Sequence, residues 1–273
     1  MLHTPSTYLD LCPHIYDTQQ NRIYYGGDQA WFIQNSKRSG GCGPIAAANI
    51  LRLLAQSHPQ ILTRLGLSIT SNNMITKVDY IQLAQKLYEQ MFIKEVPGLN
   101  YLHNHYVHYN KHFKYIPSNF GIGISGFTSG VLRFTNQQQI PLNFRSCTPT
   151  HFTYTRGLTF IRLALANGYP LALLNTNKPI AFSLYKDSRK LEEKTYRLRK
   201  HFVTITGLTT IQEEPALIIS TWGQTGTILY KHLYAAWQSP LSFGSAMVYF
   251  IPAKTRLQSR RTRLRAYSIL IKR

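Results

Sequence analysis

Residues 34–55 read QNSKRSGGCGPIAAANILRLLA. The second half of this stretch predicts a helix, because three alanines are followed by apolar residues at helical spacing. Pro44 has the fixed φ that suits a first helical position. Three glycines crowd around Cys42, so the backbone there can form turns that other residues disfavour. The pattern therefore places Cys42 just before the N-terminus of a helix.

This position predicts a reactive thiol. Unpaired N–H groups and the positive end of the helix dipole stabilise an anion, so they lower the pKa of a thiol at that point. A thiolate is the nucleophile of thiol chemistry, and N–H groups beside it can hold an oxyanion. A small buried cysteine in a helix-capping turn is the alternative. The stretch by itself leaves both interpretations of Cys42 open.

The composition is that of a globular protein with a sizeable core. The chain has 273 residues, of which 44% are hydrophobic. No apolar run is long enough to cross a bilayer, so we expect no transmembrane segment. Three cysteines are too few for a disulfide framework, which favours a cytoplasmic, reduced protein. They are Cys12, Cys42 and Cys147.

The charge is strongly positive. Lysine and arginine number 31 against 11 acidic residues, which gives a net charge of +20. Such a charge favours contact with a polyanion, which can be nucleic acid, an acidic protein or an anionic membrane. A generally basic protein without dedicated binding is the alternative. Residues 254–273 hold eight basic residues and no acid, and we interpret them as a basic C-terminal tail that either contacts a polyanion or is solvated.

Two motifs suggest cofactors and fail on closer reading. Four histidines stand between positions 103 and 112, with no cysteine or carboxylate nearby to complete a metal site. The pattern GxGxxG at 121–126 has no acidic residue downstream to bind a ribose. We therefore predict neither a metal site nor a dinucleotide, and no cofactor. The histidines are His103, His105, His108 and His112.

Further elements follow from hydrophobic periodicity. Helices are predicted at 78–91, with a cap near Asn72 or Asn73, and at 128–139, 156–167 and 231–237. Strands are predicted at 170–174, 201–208, 216–221 and 246–251. Residues 183–200 carry many charges and are predicted to be a connection. The first part of the chain is thus mainly helical and the second part is rich in strands.

The strand that begins at His201 forms the second informative pattern. It alternates, with Val203 and Ile205 on the same face as the histidine. A turn centred near Ile211 would return the chain so that His201 lies opposite residues 220–222. A segment with hydroxyl groups, Ser-Thr-Trp-Gly, is thereby brought beside the imidazole.

Taken in order, these segments resemble the papain-like cysteine peptidase superfamily, nearest the branch of the bacteriocin-leader-processing (double-glycine) peptidases. The resemblance rests on GGCGPIAAAN around Cys42, a GYPL strand after a helix, HFVTITG from His201, and STWG from Ser220. It implies an α+β, papain-like two-lobe fold over residues 1–253. The cysteine would begin a central helix in a helical lobe at about 30–140. The histidine would lie on an antiparallel sheet in a β-rich lobe at about 141–253.

The resemblance also implies roles for site residues. Cys42 would be the nucleophile and His201 the general base and then the acid. Gln34 would stabilise the oxyanion, with Asn35 as a competing candidate. The third member of such sites, an Asp or Asn that orients the histidine, is replaced here by Ser220, and the hydroxyl of Ser220 or Thr221 would do this work. A peptide or protein is then the implied substrate.

The implied function is a cysteine peptidase or amide hydrolase that uses a Cys–His dyad and an acyl-enzyme. The missing Asp or Asn leaves a second interpretation open, a catalytically weak or inactive papain-like module that binds a partner. The net charge leaves a third, a basic nucleic-acid-binding protein.

Overall fold

The computed structural model describes residues 11–70, 72–91, 122–176, 178–187 and 190–253. The histidine-rich segment at 101–115 and the basic tail at 254–273 lie outside these residues, as does the predicted contact of the tail with a polyanion. The described residues contain both helices and strands, so the fold class α+β is confirmed. No helix among them is long and apolar enough to span a membrane.

Seven α-helices are found among the described residues, besides short 3-10 turns. They are α1 (Asn35–Gly40), α2 (Cys42–Ser57), α3 (Pro59–Leu65), α4 (Lys77–Gln90), α5 (Ile124–Gln137), α6 (Tyr154–Ala166) and α7 (Tyr230–Trp237).

The strands form a small sheet and a large one. In the small sheet β1 (His14–Asp17) lies between β2 (Arg22–Tyr25) and β3 (Ile75–Thr76). The strands of the large sheet are β4 (Leu142–Cys147), β5 (Leu171–Asn175), β6 (Ile180–Asp187), β7 (Lys190–Leu198), β8 (His201–Ile211), β9 (Glu214–Thr221), β10 (Gln224–Leu229) and β11 (Ala246–Pro252).

The large sheet is antiparallel at every pairing and has the order β4-β11-β5-β8-β9-β10-β6-β7. Both of its faces are covered. Because side chains alternate along a strand, successive residues enter different cores. The core shared with α2, α4 and α5 receives Ala172, Leu174, Phe202, Val248 and Phe250. The core shared with α6 and α7 receives Leu171, Leu173, Val203, Ile205 and Met247.

The cysteine helix begins earlier than the proline predicts. Cys42 is the first residue of α2, and Pro44 is the third. The short helix α1 precedes it directly, with Gly41 between the two. Proline is tolerated throughout the first helical turn because the N–H groups there have no partner within the helix. Cys42 thus lies within the first turn rather than before it.

Other helix ends also differ from the sequence prediction. The cap of α4 is Thr76, whose hydroxyl accepts from the Asp79 N–H at 3.1 Å, and neither Asn72 nor Asn73. Helix α5 begins at Ile124, inside the glycine pattern, four residues before the predicted start. A glycine-rich stretch can still enter a helix when its other side chains are packed, because tertiary contacts outweigh a propensity cost of about 1 kcal/mol.

The predicted connection at 183–200 is wrong. This segment belongs to strands β6 and β7, which pair as a hairpin at one edge of the large sheet. In the second strand Tyr196 and Leu198 turn inward while the alternating residues Thr195 and Arg197 are exposed. The alternation was present in the sequence, but the number of charges concealed it. Charged side chains are common on edge strands because they oppose pairing with another chain.

Candidate active site

Cys42 and His201 line one small pocket of about 10 Å³, enough for about one water molecule. The pocket lies between the N-terminal half of α2 and the end of the large sheet where β8 begins. Its wall also includes Gln29, Asn49 and Thr221. The structure therefore brings the predicted nucleophile and the predicted base to the same place, although 159 residues separate them in the sequence.

The Cys42 thiol sits in a shell of main-chain donors. Burial raises the pKa of the thiol, although hydrogen bonds from the N–H groups of Phe202, Gly43 and Cys42 itself favour the thiolate and act in the opposite direction. The sequence predicted a lowered pKa from the helix end alone. That prediction is wrong because the loss of water around the sulfur outweighs the three donors.

Gly43 allows the close contact between this helix end and Ile122, which precedes α5. A Cβ atom at position 43 would lie 2.8 Å from Ile122 Cγ2, whereas its distance of 3.6 Å from the ring of Phe202 would be an ordinary contact. A side chain at position 43 would therefore require Ile122 or the first turn of α2 to shift.

The imidazole of His201 is held by Thr221. His201 Nε2 and Thr221 Oγ1 are hydrogen-bonded at 3.1 Å. The imidazole also packs against the indole of Trp222, with 5.5 Å between the two ring centroids. Burial lowers the pKa of His201 to about 4. At neutral pH, therefore, the imidazole of His201 and the thiol of Cys42, two residues that line the same pocket, are both uncharged.

Ser220 does not take the role that the resemblance assigns to it. Its hydroxyl donates to the Tyr25 carbonyl at 2.8 Å and accepts from Asn49 Nδ2 at 3.2 Å. The reason is the alternation of the strand. Because Thr204 pairs with Ser220, these two side chains point to the α2 face, whereas Thr221 shares the face of His201. Thr221, and not Ser220, is thus the contact of the imidazole.

Asn49 is the main polar residue that the sequence analysis missed. Its Nδ2 group donates to Thr204 and Ser220, both at 3.2 Å, and its Oδ1 accepts from Gly27 N at 3.1 Å and Tyr80 Oη at 2.7 Å. All four hydrogen-bonding positions of the amide are used, and the side chain is 1% exposed. Asn49 therefore joins the cysteine helix to β8, β9, α4 and the segment after β2.

A signal for Asn49 was present in the sequence. It stands seven residues after Cys42, so two helical turns bring both side chains to the same face of α2. It is also a polar residue inside an otherwise apolar face. Buried amides of this kind are nearly always fully hydrogen-bonded, and such networks fix one arrangement of a core.

The predicted oxyanion residue, Gln34, lies outside the pocket. It is exposed and forms the N-cap of α1. Gln29 lines the pocket instead, and its Oε1 atom is buried with no hydrogen-bond partner among the described residues. Asp28 holds the 3-10 turn that carries Gln29 by accepting from the Ala30 N–H at 2.9 Å. Helix α1 explains why Gln29 rather than Gln34 lines the pocket, because its six residues lie between the 3-10 turn and Cys42.

A tight turn shapes the wall beside His201. Trp222 and Gly223 connect β9 to β10 and have φ values of 49° and 71°. Two consecutive positive φ values are typical of the turn that suits the twist of a two-residue hairpin. A bulky residue rarely adopts this conformation. Here the conformation directs the indole of Trp222 against His201, Phe182 and Tyr196.

No protein-family model matches the chain, and no curated protein matches it significantly.

Proposed function

We propose that this chain is a papain-like cysteine peptidase or amide hydrolase in which Cys42 is the nucleophile and His201 the general base. The observation that carries the proposal is the shared pocket, whose lining includes Cys42 in the first turn of α2 and His201 at the start of β8. Thr221 Oγ1 is hydrogen-bonded to Nε2 of the imidazole, so the proposed reaction uses Nδ1.

The proposed reaction begins when Cys42 attacks the carbonyl carbon of the substrate. With Nε2–H donated to Thr221, Nδ1 of His201 is free to accept the thiol proton as the C–S bond forms. The C–N bond then breaks, and His201 returns the proton to the leaving amine. Water, deprotonated by the same imidazole, hydrolyses the thioester and regenerates the thiol.

Donors for the developing oxyanion lie beside the thiol and in the pocket wall. The N–H groups of Cys42 and Gly43 are close to the sulfur and have no partner within the helix, because they belong to its first turn. Gln29 lines the pocket, and its side-chain Nε2 group is a further donor. Such donors typically contribute about 3 kcal/mol each to the stabilisation of an oxyanion. We therefore assign to Gln29 the role that the resemblance gives to Gln34.

The alternative is a papain-like module that binds a partner without catalysis. The buried Oε1 atom of Gln29 has no partner among the described residues, and a donor on a substrate or on a binding partner would satisfy it equally. The Thr221 hydroxyl is hydrogen-bonded to His201 Nε2, where the missing Asp or Asn would be expected. A binding module needs no group that orients an imidazole, so this contact favours the enzyme.

Peptide cleavage tests the proposal directly. The wild type and Cys42→Ala are incubated with a library of peptides, and new peptide ends are read by mass spectrometry. We expect cleavage by the wild type alone. Equal cleavage by both proteins would show a contaminating activity, and no cleavage by either would favour the non-catalytic module.

Removing the Thr221 hydroxyl should slow the formation of the acyl-enzyme. Thr221→Val keeps the shape of the side chain but takes away the acceptor, and we expect about a tenfold lower acylation rate with an activated ester, since the imidazole loses its orientation. Thr221→Ser should restore most of the rate. The matched variant Ser220→Ala should lower stability more than it lowers the rate. The assignment fails if Ser220→Ala slows acylation and Thr221→Val does not.

The thiol pKa predicts the pH profile of alkylation in the free protein. Because burial raises the Cys42 pKa, the thiolate fraction at neutral pH is small, and the rate with iodoacetamide should rise about tenfold per pH unit from about pH 6 to about pH 8. His201 stays uncharged across this range, since burial lowers its pKa to about 4. A rate that is flat between about pH 5 and pH 8 would indicate a preformed thiolate–imidazolium pair and contradict the neutral pair.

A further inference from the structure

Three exposed cations stand at the end of the sheet where β8 begins and the pocket lies. Lys178 belongs to the connection between β5 and β6, and Arg199 and Lys200 form the turn between β7 and β8. Lys200 directly precedes His201. Among the described residues these three side chains form no ion pair. We call Lys178, Arg199 and Lys200 the basic rim.

Hydrogen bonds fix the basic rim beside His201. Asn175, the Cα partner of His201 on the neighbouring strand, donates from Nδ2 to the Lys178 carbonyl at 2.7 Å and to the Leu198 carbonyl at 2.8 Å. The Lys200 N–H donates to the Thr176 carbonyl at 3.0 Å. The two turns that carry the cations are therefore tied to each other and to the strand partner of the histidine.

Carboxylates are concentrated at the opposite end of the same sheet. Glu213 and Glu214 stand at the hairpin between β8 and β9, and β8 is 11 residues long, which separates them from His201 by roughly 33 Å. Asp187 ends β6 at the side away from Lys178. The acidic residue near the pocket among the described residues is Asp28, which stands between the lining residues Gly27 and Gln29. The rim side of the pocket is thus positive.

We propose that the basic rim selects acidic polypeptide segments for the thiol site. This inference rests on the proposed function in its peptidase form, in which the substrate is a polypeptide rather than a nucleic acid. Cations beside a pocket raise the local concentration of anionic ligands and accelerate their encounter. Carboxylate side chains next to the scissile bond would contact Lys178, Arg199 and Lys200 while the carbonyl enters the pocket.

Paired alkylating reagents measure this selectivity without a known substrate. Iodoacetate is an anion, and iodoacetamide is its neutral analogue of similar size. The ratio of their rates at Cys42, followed by peptide mass spectrometry, reports the charge at the site and cancels effects on the intrinsic reactivity of the thiol. The rim variant is Lys178→Gln/Arg199→Gln/Lys200→Asn, where asparagine suits the φ of 49° at position 200. The control variant neutralises three exposed cations elsewhere, at Lys86, Arg145 and Arg162.

Coulomb attraction from three cations through water predicts that the iodoacetate-to-iodoacetamide ratio falls about fivefold in the rim variant at low salt. The ratio should be unchanged in the control variant, and physiological salt should lower it in the wild type. An unchanged ratio in the rim variant overturns the inference while leaving the proposed function intact. If neither reagent labels Cys42, the proposed function itself fails, and the inference fails with it.

A protection experiment identifies the class of anion. A peptide of alternating glutamate and alanine should protect Cys42 from iodoacetamide in the wild type, and its glutamine counterpart should protect less. Protection should weaken in the rim variant and persist in the control variant. If single-stranded DNA protects Cys42 and the acidic peptide does not, the rim selects nucleic acid and the inference is wrong.

Discussion

Replacing His201 with glutamine is expected to slow the acylation of Cys42 by about a thousandfold, because general-base catalysis contributes about 10²–10⁴ in rate. Burial raises the pKa of the Cys42 thiol, so little thiolate is present without a base to remove the proton. The measurement is the burst of p-nitrophenol from p-nitrophenyl acetate at neutral pH. A fall of less than about threefold would show that His201 is not the base.

The same variant has a stability signature that controls for damage to the fold. In the folded wild type the His201 pKa is lowered to about 4, so between about pH 6.5 and pH 4 the unfolded chain binds the proton and the folded chain does not. Stability is therefore lost as the pH falls through this window. At 1.36 kcal/mol per pKa unit, this amounts to roughly 3 kcal/mol. His201→Gln should lack this loss in urea unfolding while remaining folded at neutral pH.

Replacing Asn49 with leucine is expected to lower the free energy of unfolding by about 4 kcal/mol. The four partners of the amide are buried, and each buried donor or acceptor left without a hydrogen bond costs about 1–3 kcal/mol. Thr204, Ser220 and Tyr80 are each no more than 1% exposed, so water cannot readily replace the amide. Urea unfolding measures the effect.

Asn136→Leu is the matched control, because Asn136 is exposed on α5. We expect it to change stability by less than about 0.5 kcal/mol. A loss below about 1 kcal/mol for Asn49→Leu would mean that the network around Asn49 does not hold α2 against the sheet.

The sequence was sufficient to predict which elements carry Cys42 and His201. Cys42 stands among glycines at the start of an apolar helix, and His201 begins an alternating strand, so the local patterns indicated the element of each residue. The strand pattern also predicted which side chains share a face with the histidine. These are short-range properties, and short-range properties follow from backbone preferences and periodicity.

The groups that assist them depend on longer-range details. Gln34 and Gln29 cannot be distinguished without knowing that residues 35–40 form a separate helix, because that helix decides which glutamine reaches the pocket. The hairpin formed by β8 and β9 turns at Gln212 and Glu213, later than predicted. Within β8, the pairing with β9 also shifts in register between Ile205 and Gly207. Both features depend on packing between distant segments.

The central claim is that Cys42 forms an acyl-enzyme with the help of His201. The most direct measurement is the site and amount of acyl group after rapid mixing with p-nitrophenyl acetate, read on the intact protein and on its fragments by mass spectrometry. The proposal predicts one acyl group per chain, located on Cys42 in the wild type and in Cys12→Ala/Cys147→Ala, and formed far more slowly in His201→Gln. Acylation of Cys12 or Cys147 in preference to Cys42, or equal rates with and without His201, would contradict it.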